Sequence, residues 1–156
     1  MQKRQTFYEI LEEVSKLRLK KSRVELLRKY GSDELKFLLN VTFHPKIKWM
    51  LPPGTPPFTP TKEERSVTVM RLRQEIKRLP NYLNVGPYPK MTPLKRESMF
   101  LRMLETLHPS DATLVCAMKD GKLPFDNLDR KIIEEAFPDL ADKWKREDPA
   151  NQSKVG

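Results

Sequence analysis

The stretch W-M-L-P-P-G-T-P-P-F-T-P, residues 49–60, sets the tightest limit on how the chain can fold. It packs five prolines and one glycine into twelve residues. Proline fixes φ and lacks an amide proton, so neither a helix interior nor a central strand can run through it. The segment must be extended, with a polyproline-like backbone. It also carries Trp49, Leu51 and Phe58, and three large apolar side chains predict a strap laid across helices rather than a free linker. Across the 156 residues, 14 prolines stand against 5 glycines. Prolines punctuate such a chain, and scarce glycine leaves little room for β-hairpin turns.

On either side of the strap the apolar residues recur at helical spacing. Phe7, Ile10, Leu11, Val14 and Leu17 mark a first helix, with Thr6 and Glu9 placed as a capping box. Ser22 is expected to open a second, with Val24, Leu27 and Tyr30 inward and Gly31 as its C′ residue. Ser32-Asp33 caps a third through Leu35, Leu38, Leu39 and Phe43, stopped by His44-Pro45. Residues 66–79 read as one helix with Val69, Leu72, Ile76 and Leu79 in step, followed by an irregular stretch over 80–91. Thr92-Pro93 is an N-cap and N1 pair for a helix through Leu94, Leu101, Leu104 and Leu107. After His108-Pro109, Ser110 and Asp111 are expected to cap the next helix, which Gly121 ends. A last pair over roughly 128–137 and 139–145 breaks at Pro138. No segment alternates with period two, so the expected fold is all-α. It is a compact bundle of about seven to eight short helices with the strap across it, one domain over 1–146 and a polar tail over 147–156.

Charge narrows the function. The net charge is +9, unevenly spread. Residues 1–30 hold nine Lys/Arg against four Asp/Glu, and residues 62–102 hold ten against four, whereas residues 103–156 hold eight against eleven. A basic first two-thirds points to a polyanion, for which nucleic acid is the usual partner. Phosphate contacts call for mobile cations at helix ends and along one face. The candidates are Lys20, Lys21 and Arg23 at the opening of the second helix; Arg71, Arg73, Lys77 and Arg78 along the fourth; and Lys95 and Arg96 after Pro93. No apolar run reaches the roughly 20 residues of a membrane span, and no signal-peptide core follows the N-terminus, so a cytoplasmic protein without a membrane partner is expected. The single cysteine, Cys116, excludes a disulfide framework and a cysteine zinc site, and reads as a small buried apolar side chain.

Catalytic signatures do not survive inspection. M-K-D-G-K (118–122) suggests the nucleotidylated lysine of an ATP-dependent ligase, but that signature is Lys-x-Asp-Gly and Lys119 is directly beside Asp120. The string reads as a helix ending in lysine and closed by glycine. There is no phosphate-binding glycine loop, and two histidines, each followed by proline, make neither a triad nor a metal cluster. No enzymatic activity, cofactor or metal is expected.

Two sets of residues carry a resemblance. F-H-P-K-I-K-W-M-L-P-P-G-T-P-P-F (43–58) and K-R-E-S-M-F-L-R-M-L-E-T-L-H-P (95–109) resemble small uncharacterised proteins of T-even-type bacteriophages, including those of marine cyanobacteria. Residues 100–140 are a helix ending in a basic-acidic pair, a short glycine loop and a helix closing in A-F-P-D-L. They resemble the end of the all-α N-terminal DNA-binding domain of phage ATP-dependent DNA ligases. That resemblance implies a host-cell cytoplasmic protein that meets duplex DNA across the minor groove, with Lys119, Gly121 and Lys122 approaching phosphates. The expectation is therefore a nucleic-acid-binding accessory protein with duplex DNA favoured. The alternative is an adaptor that docks on replication or transcription machinery through Trp49, Leu51 and Phe58.

Overall fold

The structure, a computed structural model, describes residues 4–152. The helices are α1 (Phe7–Ser15), α2 (Lys20–Lys29), α3 (Asp33–Phe43), two short turns α4 (Arg65–Thr68) and α5 (Arg71–Glu75), then α6 (Pro93–Thr106), α7 (Pro109–Lys119), α8 (Arg130–Ala136), α9 (Pro138–Glu147) and α10 (Pro149–Gln152). A 3-10 helix, Ile76–Tyr82, follows α5. The described residues contain no strand, only one isolated antiparallel bridge between Trp49 and Leu83. The fold is all-α, and no described helix is long and apolar enough to cross a membrane.

Local chemistry sets most of the boundaries. Thr6 accepts from the Glu9 amide while the Glu9 carboxylate accepts from the Thr6 amide, a complete capping box. Ser32 and Thr92 cap α3 and α6 through their hydroxyls. Helix α7 closes on Gly121 at φ 82°, with Lys122 N–H donating to Ala117 O and Gly121 N–H to Met118 O. That pattern is a Schellman motif, and it requires the left-handed backbone that glycine adopts without penalty.

Four expectations need correction. Helix α2 begins at Lys20, with Leu19 as an N-cap that offers no side-chain hydrogen bond, so Ser22 lies inside it. Residues 66–79 are not one helix. The β-branched run Val67-Thr68-Val69 crowds its own turn, Met70 leaves the helical region at φ −103° and ψ 4°, and the segment ends as a 3-10 helix around Pro80. The cap of α7 is His108, whose Nδ1 accepts from the Ser110 amide, while Asp111 accepts from the Tyr8 amide of α1 instead. Leu94 points outward and is 76% exposed.

One core cluster runs from Phe7 to Trp144. Helix α1 packs on α7, α2 on α8, and α8 on α9, with α3 and α6 also against α7. Leu27, Leu79, Leu104, Val115, Met118, Ile133 and Trp144 are fully enclosed, and the Trp144 indole donates to Asn40 Oδ1 at 2.7 Å. Cys116 is buried among them, and burial pushes its thiol pKa up.

At the α1–α7 junction lies a polar cluster in which Thr6 and Asp111 are buried and Glu9, Arg65 and Ser110 partly so. Arg65 binds the Glu9 carboxylate, and that hydrogen bond holds Glu9 down to about 2. The hydroxyls of Thr6 and Ser110 lie 3.0 Å apart. Asp111 is fully buried, its Oδ2 has no hydrogen-bond partner among the described residues, and burial pushes its carboxyl up to about 7.

The strap crosses the helices as expected and is tied along its length. Trp49 donates from its indole to Val41 O at 2.9 Å, and Met50 N–H donates to Tyr82 O at 2.7 Å. Further on, Lys119 Nζ donates to Pro52 O at 2.8 Å, the Asp120 carboxylate accepts from Gly54 N–H, and Glu105 accepts from Thr59 N–H at 3.1 Å. A cavity of about 130 Å³ remains beneath it, against Phe100 and Glu97.

Candidate nucleic-acid interface

A cation that serves a polyanion must be at the surface and free of other obligations. Four of the predicted residues are engaged in holding the fold. Arg23 donates from Nη1 to the carbonyls of Leu17 and Arg18 at 2.9 and 3.0 Å, covering the open carbonyls after α1. Arg73 lies 4.2 Å from the Phe7 ring centroid, donates to Gln5 O and pairs with Glu34 at 3.6 Å. Arg96 is 2% exposed and donates to Tyr88 O at 2.8 Å and Asn81 O at 3.4 Å, so it holds the 80–91 segment from beneath. Lys119 is 7% exposed and bridges Pro52 O and Asp120 at 2.8 and 2.7 Å. The lysine of M-K-D-G is thus the latch of the strap.

The other predicted cations are at the surface. Lys20 pairs with Glu135 at 2.8 Å, Arg71 with Glu63 at 3.2 Å and Arg78 with Glu75 at 2.9 Å. The Lys20 pair is exposed on both sides and contributes little to stability, whereas Arg71 and Glu75 are largely covered in theirs. Lys21, Lys77, Lys95 and Lys122 are exposed and form no ion pair among the described residues. Gly121 is also exposed, with open space where a Cβ would sit.

Two helix openings gather these groups. Among the described helices of nine or more residues, α1, α3, α7 and α9 carry an acid in the first turn, and α2 and α6 do not. In α2 the N-cap Leu19 is 66% exposed and its side chain caps no amide, so the free N–H groups of the first turn stand beside Lys20 and Lys21. In α6 the first turn contains Lys95, with Lys90 shortly before it. Cations at the positive end of a helix dipole oppose its stability; an anion at α2 would be held by both amides and lysines, whereas at α6 Pro93 has no N–H and Thr92 accepts from the Lys95 amide, so the lysines would hold it.

Beside the α6 opening is a feature the sequence reading passed over. An open groove of about 490 Å³ is lined by the segment from Pro87 to Thr92, with Tyr88, Lys90 and Met91, and by Lys95 of α6. Tyr88 is 54% exposed, and Val85 nearby is 62% exposed. The signal was present in P-Y-P-K, an aromatic residue fixed between prolines and followed by a lysine, but the stretch read only as irregular.

The strap offers less surface than expected. Trp49, Leu51 and Phe58 are partly buried and packed against the core, and the outward residues are four prolines with Met50, Gly54, Thr55 and Thr59. Among the described residues no group of three or more His, Cys, Asp or Glu is placed to hold a metal ion.

With that geometry in view, the profile of a family of unknown function, DUF6433, matches residues 10–124. The chain belongs to this family. The DUF6433 match takes in both basic helix openings, the strap and its Lys119 latch, and ends before α8 and α9. No curated protein and no solved structure matches the chain.

Proposed function

We propose that the chain is a non-catalytic nucleic-acid-binding protein that contacts phosphates without reading sequence. The observation that carries this reading is the acid-free, lysine-bearing openings of α2 and α6, where the other helices of nine or more residues carry an acid. For a folded protein alone that placement is unfavourable. With a phosphate present, α2 supplies amide donors and mobile cations together, and α6 supplies its lysine. The net charge of +9 adds long-range attraction. The contacts proposed are Lys20 and Lys21 on α2 and Lys95 on α6, with Lys77, Arg78 and Lys122 as further exposed cations. Arg23, Arg73, Arg96 and Lys119 act by holding these surfaces in shape. A ligase-like approach of the α7–α8 loop to DNA would rest on Gly121 and Lys122 alone. Duplex DNA and a host-cell cytoplasmic setting remain part of this proposal. The adaptor reading has weaker support, because Trp49, Leu51 and Phe58 face the core.

Fluorescence anisotropy with labelled duplex, nicked duplex and single strands, titrated at several salt concentrations from about 50 to 200 mM, tests this. Micromolar binding that weakens steeply with salt is expected. A Lys20→Gln, Lys21→Gln, Lys95→Gln variant should bind more weakly, with a log–log salt slope shallower by about 2 to 3. No binding at the lowest salt would refute the reading.

A further inference from the structure

The groove beside α6 has a property that phosphate contacts alone do not explain. Tyr88 is presented to solvent at 54% exposure on a backbone built to keep it there. Prolines on both sides restrict its dihedrals. From below, Arg96 donates to the Tyr88 carbonyl at 2.8 Å and is itself 2% exposed. Just upstream, Gly86 lies so close to Pro80 that an added Cβ would fall 1.8 Å from its carbonyl oxygen, so this turn is pressed tightly on the 3-10 helix. A buried guanidinium, two prolines and a turn that admits no side chain hold one exposed aromatic ring. Lys90 and Lys95 line the same groove, both exposed and without an ion pair among the described residues, and no acid lines it.

A fixed aromatic face flanked by cations is how proteins hold an unpaired nucleotide. The ring stacks on any base and the lysines meet the neighbouring phosphates. A duplex offers its phosphates but keeps its base faces stacked inside. We infer that the 87–95 groove binds a single-stranded segment of nucleic acid, with one base stacked on Tyr88 and the adjoining phosphates at Lys90 and Lys95. This rests on the nucleic-acid reading above and adds the strand form that the groove selects.

The test compares wild-type, Tyr88→Ala, Tyr88→Phe and a Lys90→Gln, Lys95→Gln variant. The probes are a single-stranded oligonucleotide containing 2-aminopurine and a blunt duplex of equal length. Because the Tyr88 ring is exposed, thermal melts of the tyrosine variants should match wild-type, and the phenylalanine variant keeps the stacking face in any case. The expected result is that Tyr88→Ala weakens single-strand binding about 5- to 100-fold. It should leave duplex binding within about twofold, and Tyr88→Phe should bind like wild-type. Wild-type and Tyr88→Phe should quench 2-aminopurine fluorescence and Tyr88→Ala should not. The lysine variant should weaken both forms and reduce the single-strand salt slope by about 1.4. The inference is overturned, with the broader reading intact, if wild-type binds nucleic acid but Tyr88→Ala leaves both affinity and quenching unchanged. If wild-type binds neither probe, the broader reading has failed and this inference with it.

Discussion

Replacing Asp111 with asparagine should remove much of the protein's loss of stability between pH 5 and 8. Asp111 is fully buried where α7 meets α1, and its Oδ1 accepts from the Tyr8 amide at 3.0 Å. Its Oδ2 has no hydrogen-bond partner among the described residues. Burial pushes the carboxyl from 3.8 up to about 7, partly offset by the Tyr8 hydrogen bond and the charge of Arg73. Because the folded value lies above the unfolded one, the native state keeps a proton that the unfolded chain has released across this interval. Unfolding free energy therefore falls as pH rises. The contribution is fully present below the unfolded value and lost as pH passes through about 7. Integrating that difference gives a loss of about 2.5 kcal/mol between pH 5 and 8. For a chain of this size that corresponds to about 5–10 °C in Tm. Asparagine has the shape of the protonated acid and cannot ionise. Urea unfolding of wild-type and Asp111→Asn at pH 5, 6, 7 and 8 is the assay. The variant should be the more stable at every one of these pH values, and the gap between the two should widen by about 2.5 kcal/mol from pH 5 to pH 8. His108, whose pKa burial lowers, slopes the other way in both proteins and cancels in their difference. Two parallel stability curves would refute the assignment.

Two further substitutions address the strap and the groove. Lys119→Met removes the latch between Pro52 O and Asp120, leaving the carboxylate with the Gly54 amide; a loss of about 2–4 kcal/mol and faster protease cleavage within 52–58 are expected in urea melts and limited digestion. Gly86→Ala drives a methyl into the Pro80 carbonyl, and the turn must move; a drop in Tm larger than that of Tyr88→Ala, together with weaker single-strand binding, is the expected outcome.

The helix ends were legible because their chemistry is local. Thr6 with Glu9, Ser32, Thr92 with Pro93, and Gly121 each act within a few residues of themselves, so sequence spacing carries the whole argument. The fate of the cations was not legible for the opposite reason. Lys119 finds its carbonyl acceptor 67 residues away, and Arg73 reaches Gln5 over 68. A basic residue at a helix end looks the same in sequence whether it waits for a phosphate or covers a distant carbonyl. Leu94 illustrates a second blind spot. It fits the apolar spacing of α6, yet the buried face of that helix is Arg96, Phe100, Met103 and Leu104, which no periodicity argument would choose over leucine. The segment 66–79 had the right apolar residues buried, Val69, Leu72 and Leu79, on a backbone broken into three pieces.

The latch also sets an order of events. Helices α1 to α3 and their caps depend on neighbours in the chain, whereas the Lys119–Pro52 bond must close a long intervening loop before it returns anything. That entropy is spent before the bond forms, which favours late closure over an early role in the folding nucleus. An interaction absent from the transition state leaves the folding rate alone and acts on unfolding. Lys119→Met is therefore expected to raise the unfolding rate in stopped-flow measurements more than it lowers the folding rate, which would make the proline strap a brake on opening.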